Sequence, residues 1–270
     1  MSLVRCIVLT GNGISSEMET AHACQLAGAD EVQTVFLWDL ASGKASLDAG
    51  QLLVLPGGFL DGDDLGAAHA TAIRLRHTQV NGQSLFEQLQ AFAARGGLML
   101  GIGNGFQLMV KLGLLPALGD PLGTPQVALA TNLSGRFEDR WVTLKADPES
   151  PCVFTRDIDQ LELPVRHVAG RLIAPEDVLS QLQQQHLAPL LYAHPLTGDV
   201  ADTHPHNPDG SALGMAALCD ATGRLFGMMP HPEGFLHRTH HPRWTREERP
   251  EEGDGLAIFR NAISYIRDNM

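Results

Sequence analysis

Gly97-Leu98-Met99-Leu100-Gly101-Ile102-Gly103-Asn104-Gly105-Phe106-Gln107-Leu108 is an apolar run that enters a glycine turn and leaves it directly as a helical pattern. A strand that ends in such a turn before a helix is how several α/β enzymes lift a nucleophile above their sheet, with backbone N–H groups and the helix N-terminus around it. The central residue here is Gly103, which has no side chain. The outline of a nucleophile elbow is present, and its nucleophile is not.

The chain on either side repeats the plan. Residues 4–9 read as a buried parallel strand, followed by the loop Thr10-Gly11-Asn12-Gly13-Ile14-Ser15. Ser16 and Glu19 have capping-box spacing ahead of a helix that stops at Gly28. Residues 35–37 and 52–55 predict two further strands, the second ending in Pro56-Gly57-Gly58-Phe59. Asp63 or Asp64 is expected to cap the next helix, through Leu65, Ala68, Ile73 and Leu75, and residues 85–94 form another that ends at Gly96-Gly97. The helix after the elbow runs toward Leu114-Leu115-Pro116.

Strand–turn–helix alternation sustained over about 115 residues predicts an α/β fold with a mostly parallel central sheet and helices on both faces. Sites in such sheets lie at the carboxyl ends of the strands, which gathers the loops at 10–16, 56–62 and 101–105 along one edge. The second half is expected to add antiparallel or mixed strands at residues 127–130, 140–144, 190–192, 214–218 and 225–229. The segment 243–254 mixes Arg with Glu and reads as a solvated excursion, before an amphipathic helix over 256–266. With no repeat, low-complexity tract or linker, residues 1–270 are expected to form a single domain.

Composition narrows the chemistry. The 270 residues are 44% hydrophobic and carry a net charge of −12, which argues against a nucleic-acid partner, since phosphate backbones require a basic face. The sequence contains neither a membrane-length apolar run nor a secretory leader pattern, so no membrane partner and a cytoplasmic location are expected. Cys6, Cys24, Cys152 and Cys219 lie in or beside apolar segments without a CxxC pair and read as buried free thiols. The His204-Pro205-His206 and His240-His241 pairs lack metal-ligand spacing and read as solvated loop residues, so no metal is expected.

Three constellations carry possible chemistry. In Met229-Pro230-His231-Pro232-Glu233, an extended segment puts residues i and i+2 on one side, so Glu233 is able to accept from one imidazole nitrogen of His231 and aim the other into a cleft. The same spacing also fits a surface loop histidine beside a solvated glutamate. Pro56-Gly57-Gly58-Phe59 reads either as a turn ending a strand or as an oxyanion hole whose glycine N–H groups approach a developing charge while Phe59 excludes water. Gly101, Gly103 and Gly105 have GxGxG rather than GxGxxG spacing and fall on a late strand, a weak match to a dinucleotide fingerprint.

Taken together, the Gly57-Gly58-Phe59 turn, the Gly101 to Gln107 elbow and the Met229 to Glu233 segment resemble the triad glutamine amidotransferases. More narrowly they are similar to the glutaminase components of phosphoribosylformylglycinamidine synthase, a family of purine biosynthesis. Gly62-Asp63, Gly113-Leu114-Leu115-Pro116, Asn132-Leu133-Ser134-Gly135-Arg136-Phe137 and Asn207-Pro208-Asp209-Gly210-Ser211 extend the likeness over residues 4 to about 266. The resemblance implies a flavodoxin-like glutamine amidotransferase fold, glutamine as substrate, no cofactor, and a separate ATP-dependent synthetase subunit as partner and recipient of ammonia. It further implies a cysteine at the elbow, His231 as proton shuttle, Glu233 as its orienting carboxylate, and Gly58 and Asn104 N–H groups as oxyanion donors. Phe59, Gln107, Asn132, Ser134 and Phe137 would contact the substrate.

The elbow departs from the family pattern, with Gly103 standing where the cysteine is expected. Ser15-Ser16 replaces the usual Asn-Cys, His167-Val168-Ala169-Gly170 replaces His-Gly-Glu-Gly, and Gly234 stands where Arg or Ala is common. A single inactivating substitution leaves such neighbours intact, so the coincident departures favour a naturally drifted, non-hydrolysing member.

Overall fold

The structure, a computed structural model, describes residues 3–119 and 122–270. Apolar runs bounded by glycine become the strands that organise it. Along the first half run β1 (Arg5–Thr10), α1 (Glu17–Leu26), β2 (Glu31–Phe36), α2 (Leu37–Ala41), β3 (Leu52–Leu55) and α3 (His69–His77). A short hairpin of β4 (Gln79–Val80) and β5 (Gln83–Ser84) leads into α4 (Leu85–Ala94), β6 (Leu98–Ile102) and α5 (Asn104–Leu112). Then follow β7 (Ala128–Ala130), β8 (Glu138–Ala146), β9 (Gln160–His167), β10 (Arg171–Ile173), α6 (Glu176–Gln184), β11 (Leu190–Ala193), β12 (Ala217–Cys219), β13 (Leu225–Met228) and α7 (Gly255–Asn269).

The central sheet has six strands in the order β12-β13-β6-β3-β1-β2, parallel throughout except for β12. Helices α1 and α7 pack together, while α3 packs with α4 and α5, so the two groups cover opposite faces. β3 and β6 are buried at every residue, as strands sandwiched between helix layers must be. The elbow therefore rises from the middle of the sheet. Close packing of α5 depends on Gly105, where a Cβ would come within 1.8 Å of the Leu55 carbonyl oxygen. Gly105 thus has a packing role in the helix, independent of any nucleotide.

Several expectations are corrected. Ser16 stands at the N-cap of α1 without capping it, and its hydroxyl instead lies 3.4 Å from the Gly57 carbonyl oxygen, bridging two loops. The second strand spans Glu31–Phe36, and Leu37 opens a helix. Its mostly exposed residues hide the pattern, because β2 is the sheet edge and pairs only with β1. Neither Asp63 nor Asp64 caps α3, which starts at His69 after Ala68 in a left-handed conformation, though Asp63 Oδ1 accepts from the Ala68 N–H at 3.2 Å.

Only β12 joins the main sheet as an antiparallel addition. β11-β8-β9 form a separate three-stranded antiparallel sheet, and β7 pairs with β10 on its own. The segment 243–254 is not merely solvated, because Arg243 and Arg249 each donate to Glu162 of β9 at 2.7 Å. Burial alone would raise the pKa of Glu162, but the hydrogen bond from Arg249 and the His241 imidazole 3.2 Å away outweigh it and hold the carboxyl below its ordinary value. His241 is likewise not solvated: it is buried, with its ring 4.5 Å from that of Trp141. All four cysteines are free and buried. Among the described residues, no helix is long and apolar enough to cross a membrane, and no group of three or more His, Cys, Asp or Glu is arranged to hold a metal ion.

Candidate active site

At the carboxyl edge of the sheet, the loops after β1, β3 and β6 meet as the topology requires. Phe59 N–H donates to the Gly13 carbonyl at 2.7 Å and Ser15 N–H to the Gly57 carbonyl at 3.2 Å, which locks the first loop onto the second. Between the loops lies a cavity of about 220 Å³, lined by Gly58, Phe59, Gly103, Asn104, Gln107, Phe137 and His231.

Gly103 is the N-cap of α5 with φ 52° and ψ −109°, a conformation that costs little only for glycine. Its N–H donates to Met228 O of β13 at 2.8 Å, and its carbonyl accepts from Gln107 N–H at 3.1 Å, so both ends of the turn are fixed. A Cβ built on Gly103 would lie 3.0 Å from His231 Nε2. The histidine therefore faces the position where a side chain at 103 would begin.

His231 follows β13 and is anchored by its own N–H to the Pro164 carbonyl of β9 at 2.8 Å. Its Nδ1 is 2.6 Å from Glu233 Oε1, and both side chains are buried. The pair is made by a turn of 3-10 helix over Pro232–Gly234 rather than by an extended segment, but the result is the expected one. A carboxylate accepting from Nδ1–H leaves Nε2 with its lone pair toward Gly103, the tautomer that a general base needs.

Two residues of the same cavity lining, Gly58 and Asn104, carry backbone N–H groups without a protein acceptor among the described residues. No described residue accepts the Gly58 N–H, and Asn104 is the first residue of α5, where helical N–H groups lack intrahelical partners. The Asn104 side chain is engaged elsewhere: Oδ1 accepts from Leu60 N–H at 3.1 Å and Nδ2 donates to Gln107 Oε1 at 2.9 Å. Gln107 passes the network on to the Ala169 carbonyl at 2.7 Å. Its amide thus braces the cavity wall from both ends.

Of the other expected residues, Asn132 and Ser134 lie apart from the cavity. Asn132 is buried and ties the turn after β9, donating to the carbonyls of Arg136 and His167 and accepting from Gly170 N–H. Ser134 is exposed and accepts from Arg136 N–H. Phe59 and Phe137 line the wall but are 46% and 51% exposed, so they frame its mouth rather than seal it.

Sequence reasoning missed Asp63, Arg166 and His167 as lining residues. The last two end β9, whose alternating Leu161, Leu163 and Val165 are a strand signal interrupted by Pro164. Proline is tolerated there because β9 is an edge strand. His167 Nε2 lies 3.0 Å from Asp209 Oδ2, which also accepts from Tyr192 O–H at 2.9 Å, while Oδ1 accepts from the Ser211 hydroxyl at 2.6 Å. Burial pushes the Asp209 pKa up, but the hydrogen bond and charge of His167, with the two hydroxyls, outweigh it and hold the carboxyl below its ordinary range. The Asn207-Pro208-Asp209-Gly210-Ser211 motif is thereby a buried bracket behind the cavity wall.

The model of the CobB/CobQ-like glutamine amidotransferase domain matches residues 3–266. The phosphoribosylformylglycinamidine synthase subunit PurQ of Dehalococcoides mccartyi is 40% identical over 267 residues, covering 99% of this chain and 99% of that protein. The subunit of the same name from Methanococcus maripaludis is 36% identical over 272 residues, with 97% of each covered. The solved structure of PurLQS from Thermotoga maritima superposes with a TM-score of 0.71 at 25% identity, over 98% of this chain and 100% of that one. The chain therefore belongs to the CobB/CobQ-like glutamine amidotransferase family and, within it, groups with the PurQ proteins.

Proposed function

We propose that this chain is the glutamine amidotransferase subunit of a cytoplasmic phosphoribosylformylglycinamidine synthase of purine biosynthesis, paired with an ATP-dependent synthetase subunit. The near-complete coverage of PurQ relatives and the likeness to PurLQS support the assignment. In this reading glutamine enters the cavity side chain first, with its amide oxygen toward the N–H groups of Gly58 and Asn104 and its amide carbon facing position 103.

In the family reaction a thiolate at that position attacks the amide carbon, and the C–N bond breaks as the histidine hands a proton to the leaving nitrogen. Ammonia departs, and water then cleaves the thioester to glutamate. Gly103 offers no sulfur, so the chain forms no thioester, although His231 and Glu233 keep the arrangement that would serve one. Losing the nucleophile of a catalytic triad costs about 10⁶ in kcat. The subunit thus holds glutamine without hydrolysing it, as a scaffold and glutamine-responsive partner of the synthetase. Ser15, Ser16 and Val168, which line the same cavity and depart from the family pattern, favour this silent form.

The observation that carries the reading is the 3.0 Å approach of a Cβ at 103 to His231 Nε2, with Nδ1 held by Glu233 at 2.6 Å. Glutamine titrated calorimetrically into the unaltered chain, with proton NMR of the mixture afterwards, tests it. Saturable binding with no glutamate formed is expected. Either no binding, or glutamate produced at a rate typical of amidotransferases, overturns it.

A further inference from the structure

Among the residues lining the cavity, Arg166 supplies the only guanidinium and Asp63 the only carboxylate. The Arg166 guanidinium makes no hydrogen bond or ion pair with any described residue, its backbone being part of the β8–β9 ladder. Its position is tied to one of the family departures: a Cβ on Gly234 would come within 2.9 Å of Arg166 Nη2 and of Pro164 Cγ. Glycine at 234 therefore gives the guanidinium room against the loop that carries His231 and Glu233. A second departure acts in the same direction, because Ala169 stands where the family pattern has a glutamate, and no carboxylate at that position competes for the cation.

A glutamine whose side-chain amide points to Gly103 presents two charges at its other end. Arginine offers a planar fork that matches a carboxylate with two parallel N–H donors, and such charge-assisted pairs are the stronger hydrogen bonds. The exposed faces of Val168 and Phe137 line the same wall, so a bound amino acid would displace water there. Asp63 Oδ1 is engaged by Ala68 N–H at 3.2 Å, which leaves its other oxygen for the α-ammonium.

We propose that Arg166 reads the α-carboxylate of bound glutamine and is a specificity-determining residue of this site. The inference rests on the glutamine-site reading above and adds to it a residue that the motif likeness does not name.

Calorimetric titration of L-glutamine and of its α-amide, in which the α-carboxylate becomes a neutral amide, tests the assignment on the unaltered chain, Arg166→Ala and Arg166→Lys. Arg166 is exposed, so neither substitution threatens the fold, and matching thermal melts check that. The expected result is a Kd for glutamine raised about 10- to 100-fold in Arg166→Ala, partly recovered in Arg166→Lys, with the α-amide bound equally by all three. Glutamine affinity unchanged within twofold overturns the inference alone, and so does an equal loss for both ligands. Weaker synthetase binding with unchanged glutamine affinity overturns it as well, by assigning Arg166 to the partner surface. If the unaltered chain binds no glutamine, the glutamine-site reading fails first and this inference fails with it.

Discussion

Replacing Gly103 by cysteine is expected to move activity and stability in opposite directions. The residue sits at φ 52° and ψ −109°, where a non-glycine side chain costs about 1–3 kcal/mol, and its Cβ would meet His231 Nε2 at 3.0 Å, requiring the ring to retreat by a few tenths of an ångström. For a chain of this size each kcal/mol corresponds to about 2–4 °C, so Gly103→Cys should melt about 2–12 °C below the unaltered protein. Gly103→Ala bears the same backbone strain without a thiol and should melt equally low. Glutaminase turnover, followed as glutamate release in the presence of the synthetase subunit, should rise in Gly103→Cys by about 10²- to 10⁶-fold over Gly103→Ala, the upper figure being the full weight of a triad nucleophile. The lower figure allows for Ser15-Ser16 and Val168-Ala169 around the site. A folded, glutamine-binding Gly103→Cys no faster than Gly103→Ala refutes the reasoning. So does a pair of variants as stable as the parent, since the turn would then hold no strain.

Other outcomes follow from the same geometry. In the Gly103→Cys background, Glu233→Gln removes the carboxylate 2.6 Å from His231 Nδ1 and should lower kcat by about 10²- to 10⁴-fold with little change in KM, read from steady-state glutaminase kinetics. Asp209→Asn takes the charge from a fully buried cluster of His167, Tyr192 and Ser211 and should cost about 3–5 kcal/mol in urea unfolding. Because the folded-state pKa of Asp209 is depressed, its contribution is present at neutral pH and lost as pH falls through and below the ordinary carboxylate range. The parent should therefore lose stability in acid more steeply than Asp209→Asn. Glu162→Gln, which removes the charge and one of the two acceptor oxygens that hold Arg243 and Arg249, should destabilise by about 1–3 kcal/mol and speed proteolysis within 243–254.

The parts of the fold legible in the sequence were those fixed by short-range pattern. β3, β6 and α4 follow from apolar runs bounded by glycine, and Ser84 with Glu87 forms a capping box that starts α4 where its residues say it should. The elbow and the His231–Glu233 pair were legible for the same reason, since each lies within a few residues of chain. What stayed hidden depends on distant partners. β2 carries edge residues with little burial to reveal them, and β9 has a proline that is tolerated because one of its sides is unpaired. His167 and Asp209 meet across 42 residues, and Arg243 reaches Glu162 across 81, so no local spacing announces either contact. Arg166 lines the cavity with its guanidinium close to Gly234, a residue of another element and 68 positions away, so no local spacing announces it.

The central claim, an amidotransferase subunit whose glutamine site lacks its nucleophile, is tested most directly by the nitrogen source of the reconstituted synthase. With the unaltered chain, the synthetase subunit, ATP and the nucleotide substrate of the synthase, product is expected to form from ammonium chloride and not from glutamine, and Gly103→Cys should restore the glutamine-dependent route. Product formed from glutamine by the unaltered chain at a rate comparable to the ammonium-driven one would contradict the account.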